Sequence, residues 1–281
     1  MGGASTAGES GAANTSGAGG ASAGGVSNAG GAGMSMGGTV GAGGNSGGGG
    51  LGGTTNSYGT IVGSPAVAKL IELTKNCTDA NKIPSDTGKF QTDAGKTVHV
   101  CALKGGTGNT SGAVFYNADM DIDCDGLPTT HCPGTGDDTD PSYYYQTAFT
   151  GPNSKTGTQG GPALAAENTP YVVIPEEIQA VDQNNGGNIV AVIYKDQIEF
   201  AVFGDTIAYQ AGDSGEPIGE SSVRTAVGLG IPSSPATGGV ADGVTYIAFT
   251  GPGTQPKDME DIAEIQALGA KLLQSLLQNN P

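Results

Sequence analysis

The sequence predicts a β-dominated α+β domain, a small barrel or strongly curved sheet flanked by N- and C-terminal helices and preceded by a disordered Gly-rich tract. Three observations carry that expectation. Short β-favouring apolar runs recur between residues 97 and 249, while patterns of helical period stand only at the two ends. Of the 52 glycines, 23 fall in residues 1–53, a stretch with a single charge, Glu9, and no aromatic residue. Such a tract cannot bury enough apolar surface to offset its chain entropy. Residues 1–57 therefore read as a linker, and 58–281 as one domain long enough for a sizeable core.

In chain order, Ser64-Pro65 reads as an N-cap followed by proline at the first helical position. Val67, Leu70, Ile71 and Leu73 give this helix one apolar face as far as about Lys75. Thr97–Leu103 reads as a strand carrying Cys101, and Ala113–Tyr116 as a short strand. Tyr143–Phe149 is aromatic and β-favouring, and Tyr171–Ile174 before Pro175 is a short apolar run, a buried strand. Asn188–Tyr194 and Gln197–Phe203 flank Lys195-Asp196 and read as a tight hairpin. In its second arm Ile198, Phe200 and Val202 alternate with Glu199, Ala201 and Phe203, the mark of a half-buried strand, which is expected to break at Gly204. Val244–Phe249 is a late strand. Asp258–Gln278 is an amphipathic helix, with Met259, Ile262, Ile265, Leu268, Leu272 and Leu276 on one face and Asp258 as its cap.

The formal charge of −16 lies almost wholly in the domain. That balance argues against nucleic acid, whose phosphates demand Lys and Arg, and suits a cationic partner or simple solubility. No apolar run approaches the length of a membrane span. The four cysteines, Cys77, Cys101, Cys124 and Cys132, fit two disulfides in an oxidised, exported protein. Of the three possible connectivities, Cys77–Cys101 with Cys124–Cys132 is the local one. A metal centre is not expected, because the only histidines are His99 and His131 and no C-x-x-C occurs. The sequence carries no signal peptide, so secretion or surface tethering presumes one removed. A monomer is expected.

The chemistry centres on carboxylates. Beyond the 197–203 strand, Asp205, Asp213, Glu216 and Glu220 fall in a glycine-punctuated segment, an arrangement by which scaffolds present acids but also an ordinary turn composition. Asp119, Asp121, Asp123 and Asp125 occupy alternate positions, so an extended backbone would put all four on one face, where a cation would relieve their repulsion. Their D-x-D-x-D-G spacing matches the front of a calcium loop, yet the closing glutamate is replaced by Cys132. Gly212-Asp213-Ser214-Gly215 with Thr130-His131-Cys132 faintly echoes a serine hydrolase. Glu216 would set a negative charge beside the oxyanion hole, which removes that reading. Paired carboxylates for glycoside hydrolysis remain, and Asp205 and Glu220 are placed to fold face to face.

Six blocks in order then carry a resemblance. They are Met120-Asp-Ile-Asp-Cys-Asp-Gly126, Cys132, Gln146-Thr-x-Phe149, Tyr171-Val-Val-Ile-Pro175, Phe203-Gly-Asp-Thr206 and Ile218-Gly-Glu-Ser221. Over roughly 90–232 the chain resembles the fungal-type chitosanases of glycoside hydrolase family 75. The resemblance implies inverting hydrolysis of β-1,4 links in chitosan, without a cofactor, by two acids at Asp205 and Glu220. An additional Gly-Asp makes Asp213 the reserve candidate. On this reading Asp119, Asp121, Asp123 and Asp125 hold glucosamine ammonium groups, and Tyr144 or Tyr145 stacks on sugar faces. A non-catalytic carbohydrate-binding or surface-display module of the same fold is the alternative.

Overall fold

A computed structural model describes residues 51–103, 112–133, 146–151, 163–178, 186–207 and 215–281. All lie in one compact unit, Asn45–Pro281. The architecture is β-dominated. Six strands close into a barrel: β5 (Ala113–Asp123), β6 (Tyr171–Pro175), β7 (Ile189–Tyr194), β8 (Gln197–Ile207), β10 (Glu220–Ser222) and β11 (Val240–Phe249). Their order around the barrel is β8-β6-β10-β5-β11-β7, returning to β8. The β6–β8 and β10–β5 pairs are parallel and the other four barrel pairings antiparallel. Closure leaves no free edge. Short strands β1 (Thr54–Thr55), β2 (Ile61–Val62) and β4 (Cys101–Leu103) add to the sheet, while β3 (Phe90–Gln91) and β9 (Glu216–Pro217) form a separate two-stranded ribbon. Leu51 is buried and β1 pairs with β2, so the folded chain includes residues upstream of the boundary drawn from composition at 57.

Alternation along each strand separates two cores. Val114, Tyr116, Ala118 and Met120 of β5 join Val172, Val192, Phe203 and Tyr246 inside the barrel. Phe115, Val173, Ile193, Phe200 and Ile247 face outward, where α1 (Ala66–Thr74) and α3 (Ile262–Asn279) cover them with Leu70, Ile265, Leu273 and Leu276. The Cys77–Cys101 and Cys124–Cys132 disulfides are both formed.

Several elements differ from their sequence expectations. The 113–116 strand runs on through the aspartates to Asp123, because β11 and β10 supply ladder partners that local propensity cannot register. The β8 strand is buried on both faces and does not break at Gly204. Between 97 and 103 only Cys101–Leu103 is a strand. Gln146–Phe149 forms no strand, and Tyr143–Tyr145 lie outside the described residues. The C-terminal helix starts later than expected: Asp261, not Asp258, caps it by accepting the Glu264 N–H. The hairpin forms as expected, with Lys195 at φ 55°.

Candidate active site

Register decides which side chains meet. Glu220 pairs with Asp121 across β10–β5, and Ser221 pairs with Val172 across β10–β6. One step along that antiparallel ladder sets Glu220 opposite Val173. Val173 in turn pairs with Asp205 across β6–β8. Side chains paired across a ladder share a face, so Asp121, Glu220, Val173 and Asp205 form a row over four strands on the barrel's outer face. Glu220 and Asp205 stand two strand spacings apart, about 9–10 Å between backbones.

Asp205 belongs to this row only because of an irregularity at Gly204. Val172 pairs with Phe203 and Val173 with Asp205, so Gly204 is an extra residue in β8. Without it, alternation would turn Asp205 into the barrel beside Phe203; the bulge turns it outward. Glycine is required there, because a Cβ would lie 2.6 Å from the Cβ of Tyr171 and 2.8 Å from Leu164 Cδ1.

The two carboxyls are held differently. Asp205 is buried, and its Oδ1 accepts the N–H groups of Ala148 (2.9 Å) and Thr206 (2.8 Å). Burial, then the charge of Asp123, pushes its carboxyl up to about 8, with those two amides acting in the opposite direction. Burial also pushes Glu220 up to about 8, followed by the charges of Asp123, Asp93, Asp121 and Asp205. No hydrogen bond contributes to lowering Glu220. Both carboxyls are raised to the same level, and of the two Asp205 has the amide donors that stabilise an ionised carboxylate.

Asp119 and Asp121 are each raised to about 6, chiefly by burial and then by neighbouring aspartates. Asp119, Asp121 and Asp123 alternate with the inward-facing Ala118 and Met120 and so share the outer face with Glu220. Asp125 follows the strand in a turn, its N–H donating to Asp123 Oδ1. From the interior, the Tyr246 hydroxyl reaches the carbonyls of Asp119 (2.9 Å) and Gly219 (3.2 Å), holding the backbone under the site. Asp213, Tyr144 and Tyr145 lie outside the described residues. His131 is exposed and bonds Glu167, and Ser214 lies outside the described residues.

Sequence reasoning missed Asp93, which sits in a turn whose composition reads only as a turn. It missed the Ala148 amide and the Gly204 bulge as well; the Phe-Gly-Asp string was the one visible sign of the latter. Among the described residues, no group of three His, Cys, Asp or Glu side chains is arranged to hold a metal ion. No described helix is long and apolar enough to cross a membrane.

Comparison with known proteins bears on this arrangement. Residues 120–278 match the family model described as fungal chitosanase of glycosyl hydrolase group 75. Endo-chitosanase C of Aspergillus oryzae is 36% identical over 155 residues, covering 51% of this chain and 33% of that protein. Endo-chitosanase C of Aspergillus oryzae strain RIB 40 is 34% identical over 159 residues, covering 51% and 34%. The chain thus spans about a third of the length of the curated relatives it matches.

Proposed function

The chain belongs to the fungal chitosanases of glycosyl hydrolase group 75, and from that membership we propose that it hydrolyses β-1,4-glucosaminide links in chitosan, endo-acting and with inversion. Glu220 is the general acid that protonates the leaving glycosidic oxygen. Asp205 is the general base that activates water on the opposite face of the sugar. The observation that carries this reading is the carboxyl row, which sets the two acids two strands apart with apolar Val173 between them. Inverting enzymes need a separation of about 6.5–9.5 Å to admit a water, and retaining enzymes about 5 Å.

The hydrogen bonds support the division of labour. Two amide donors stabilise Asp205 as an anion, the state a base requires, while Glu220 keeps its proton. Both values are high in the free protein chiefly because the carboxyls are buried, and further because other carboxylates face them. A chain of ammonium groups would bring the missing positive charge, draw Asp205 towards ionisation and explain why a polycation is the substrate. Asp119, Asp121 and Asp123 would line that cleft, with Asp125 at its end and Asp213, Tyr144 and Tyr145 as candidates from the neighbouring loops. Residues 58–281 would then be the catalytic domain and the Gly/Ala/Ser tract a tether for an exported protein. The two disulfides fit an oxidising compartment.

The test is reducing-sugar release from soluble chitosan at about pH 5–6, with the product anomer followed by NMR. Wild type should release the α-anomer first. Glu220→Gln and Asp205→Asn should each lose about 10²–10⁴-fold in rate. A β-anomer would replace inversion by retention. No turnover by wild type, with oligosaccharide binding intact, would leave a carbohydrate-binding module.

A further inference from the structure

We propose that Phe149 is a positioning residue for Asp205: its ring, seated on Gly186 and Phe203, fixes the Ala148 amide on the Asp205 carboxyl. The proposal rests on reading Asp205 as the general base, while the contact itself does not.

The amide needs such a support. Ala148 is exposed, so water competes for its N–H, yet that N–H donates to Asp205 Oδ1 at 2.9 Å across 57 residues of sequence. Its two neighbours hold it there. Thr147 is buried, and its hydroxyl donates to the Phe149 carbonyl (3.1 Å) while accepting the Leu164 N–H (3.0 Å). The Phe149 N–H donates to the Gly204 carbonyl (3.1 Å). Gly204 is the extra residue of the β8 bulge, left without a partner by the register with β6. Two successive amides thus clasp the bulge that turns Asp205 outward.

The Phe149 side chain locks the clasp. Its ring meets Phe203 edge-on, with centroids 4.8 Å apart at 61°. It also occupies the space where a side chain at Gly186 would begin, since a Cβ there would lie 2.1 Å from Phe149 Cγ. Gly186 takes φ 74°, and its carbonyl accepts Gln255 Nε2 at 2.6 Å, so the seat is itself pinned.

Residues 146–151 carry no titratable side chain, so this segment acts on Asp205 through its amide and not through charge. The charges that face Asp205 are those of Asp123 from β5 and Glu220 from β10, with Val173 of β6 between, and a change at Phe149 leaves all three in place. Among the described residues both amide donors, Ala148 and Thr206, bind Oδ1. That fixes the turn of the carboxyl group and leaves Oδ2 to take the proton. An amide donor favours the ionised carboxyl, so its loss raises the pH at which Asp205 gives up its proton.

The test is a carbon-13 NMR titration of the Asp205 side-chain carboxyl in the full chain, beside the pH dependence of kcat/KM on soluble chitosan. Phe149→Leu should raise the Asp205 midpoint by about one pH unit and move the acid limb of kcat/KM upward with it. Thr147→Val, which removes only the hydroxyl bracing the turn, should give a smaller shift in the same direction and serves where Phe149→Leu does not fold. Val67→Ala, in the core under α1, lowers stability and should move neither. A midpoint unchanged in Phe149→Leu and Thr147→Val, or moved as far by Val67→Ala, would overturn the proposal. A raised midpoint with an unmoved acid limb, or with no turnover by wild type, would keep the positioning role and sink Asp205 as the base.

Discussion

The barrel buries carboxylates at two places and treats them in opposite ways. Glu199 on β8 is wholly buried, and Arg224 Nη1 approaches its Oε1 at 3.1 Å from α2 (Val223–Gly228), the short helix directly after β10. The Thr60 hydroxyl bonds the other oxygen, and Gln266 Nε2 lies at 3.5 Å. Arg224 is itself held by the Tyr58 carbonyl and stacks 4.9 Å over that ring. Glu199 rises only to about 7, its burial offset first by Arg224. Asp205 and Glu220 rise to about 8, and among the described residues the charges acting on them are all carboxylates. A group that serves the fold has its counter-ion built in. On the proposed function, a group that serves chemistry has its counter-ion left to arrive.

The sharpest way to break that contrast is at Arg224. Arg224→Met removes the counter-ion of a buried carboxyl and should lower stability most at high pH, by up to about 3–5 kcal/mol once Glu199 is ionised. Adding Glu199→Met should recover most of it, because two apolar side chains of similar size can replace a buried pair. Denaturant midpoints of wild type, single and double variants read this directly. If the single variant unfolds like wild type, Glu199 is not held by Arg224 and the contrast fails.

A smaller effect is expected at Gly219, which joins the two treatments. Its φ of 121° favours glycine, and a Cβ there would stand 2.2 Å from Asp119 Oδ1. Gly219→Ala should destabilise by about 1–3 kcal/mol and shift Glu220 as well, lowering turnover on chitosan even where the protein stays folded. Loss of stability with turnover per folded molecule unchanged would show that Gly219 serves the backbone alone.

Much of the fold was legible in the sequence. The hairpin around Lys195-Asp196, the buried YVVIP strand, the flanking helices and the local disulfide pairing all follow from patterns within a dozen or so residues. What could not be read was long-range register. The acidic run matched an extended face as well as the front of a calcium loop; its strand exists because β10 and β11 pair with it from about 100 residues away and beyond. Asp205 and Glu220, expected on a loop, stand instead on β8 and β10, and the two residues meet through β6, which sequence spacing does not reveal. The alternation of Asp119, Asp121 and Asp123 was visible as a shared face, and Asp93 was not, since only the Phe90–Gln91 pairing with Glu216–Pro217 brings it near.

The pH dependence of stability sharpens the contrast further. Five carboxyls lie above their ordinary values in the folded chain: Asp205 and Glu220 at about 8, Glu199 at about 7, Asp119 and Asp121 at about 6. The folded state therefore binds protons more tightly than the unfolded one. Stability from Asp119, Asp121, Asp205 and Glu220 is complete below about pH 4 and is lost as pH rises towards 8, whereas Glu199, though raised too, has Arg224 to offset part of that loss. Tm should fall between pH 5 and 8. Glu220→Gln should match wild type at pH 5 and exceed it at pH 8, by about 2–4 °C for each kcal/mol of relief. A glucosamine oligomer should flatten the wild-type slope by supplying the cation that the site lacks, while an acetylated oligomer should not. A slope that Glu220→Gln leaves untouched would mean that this carboxyl is already neutralised in the free protein, and the two carboxylate sites would no longer differ.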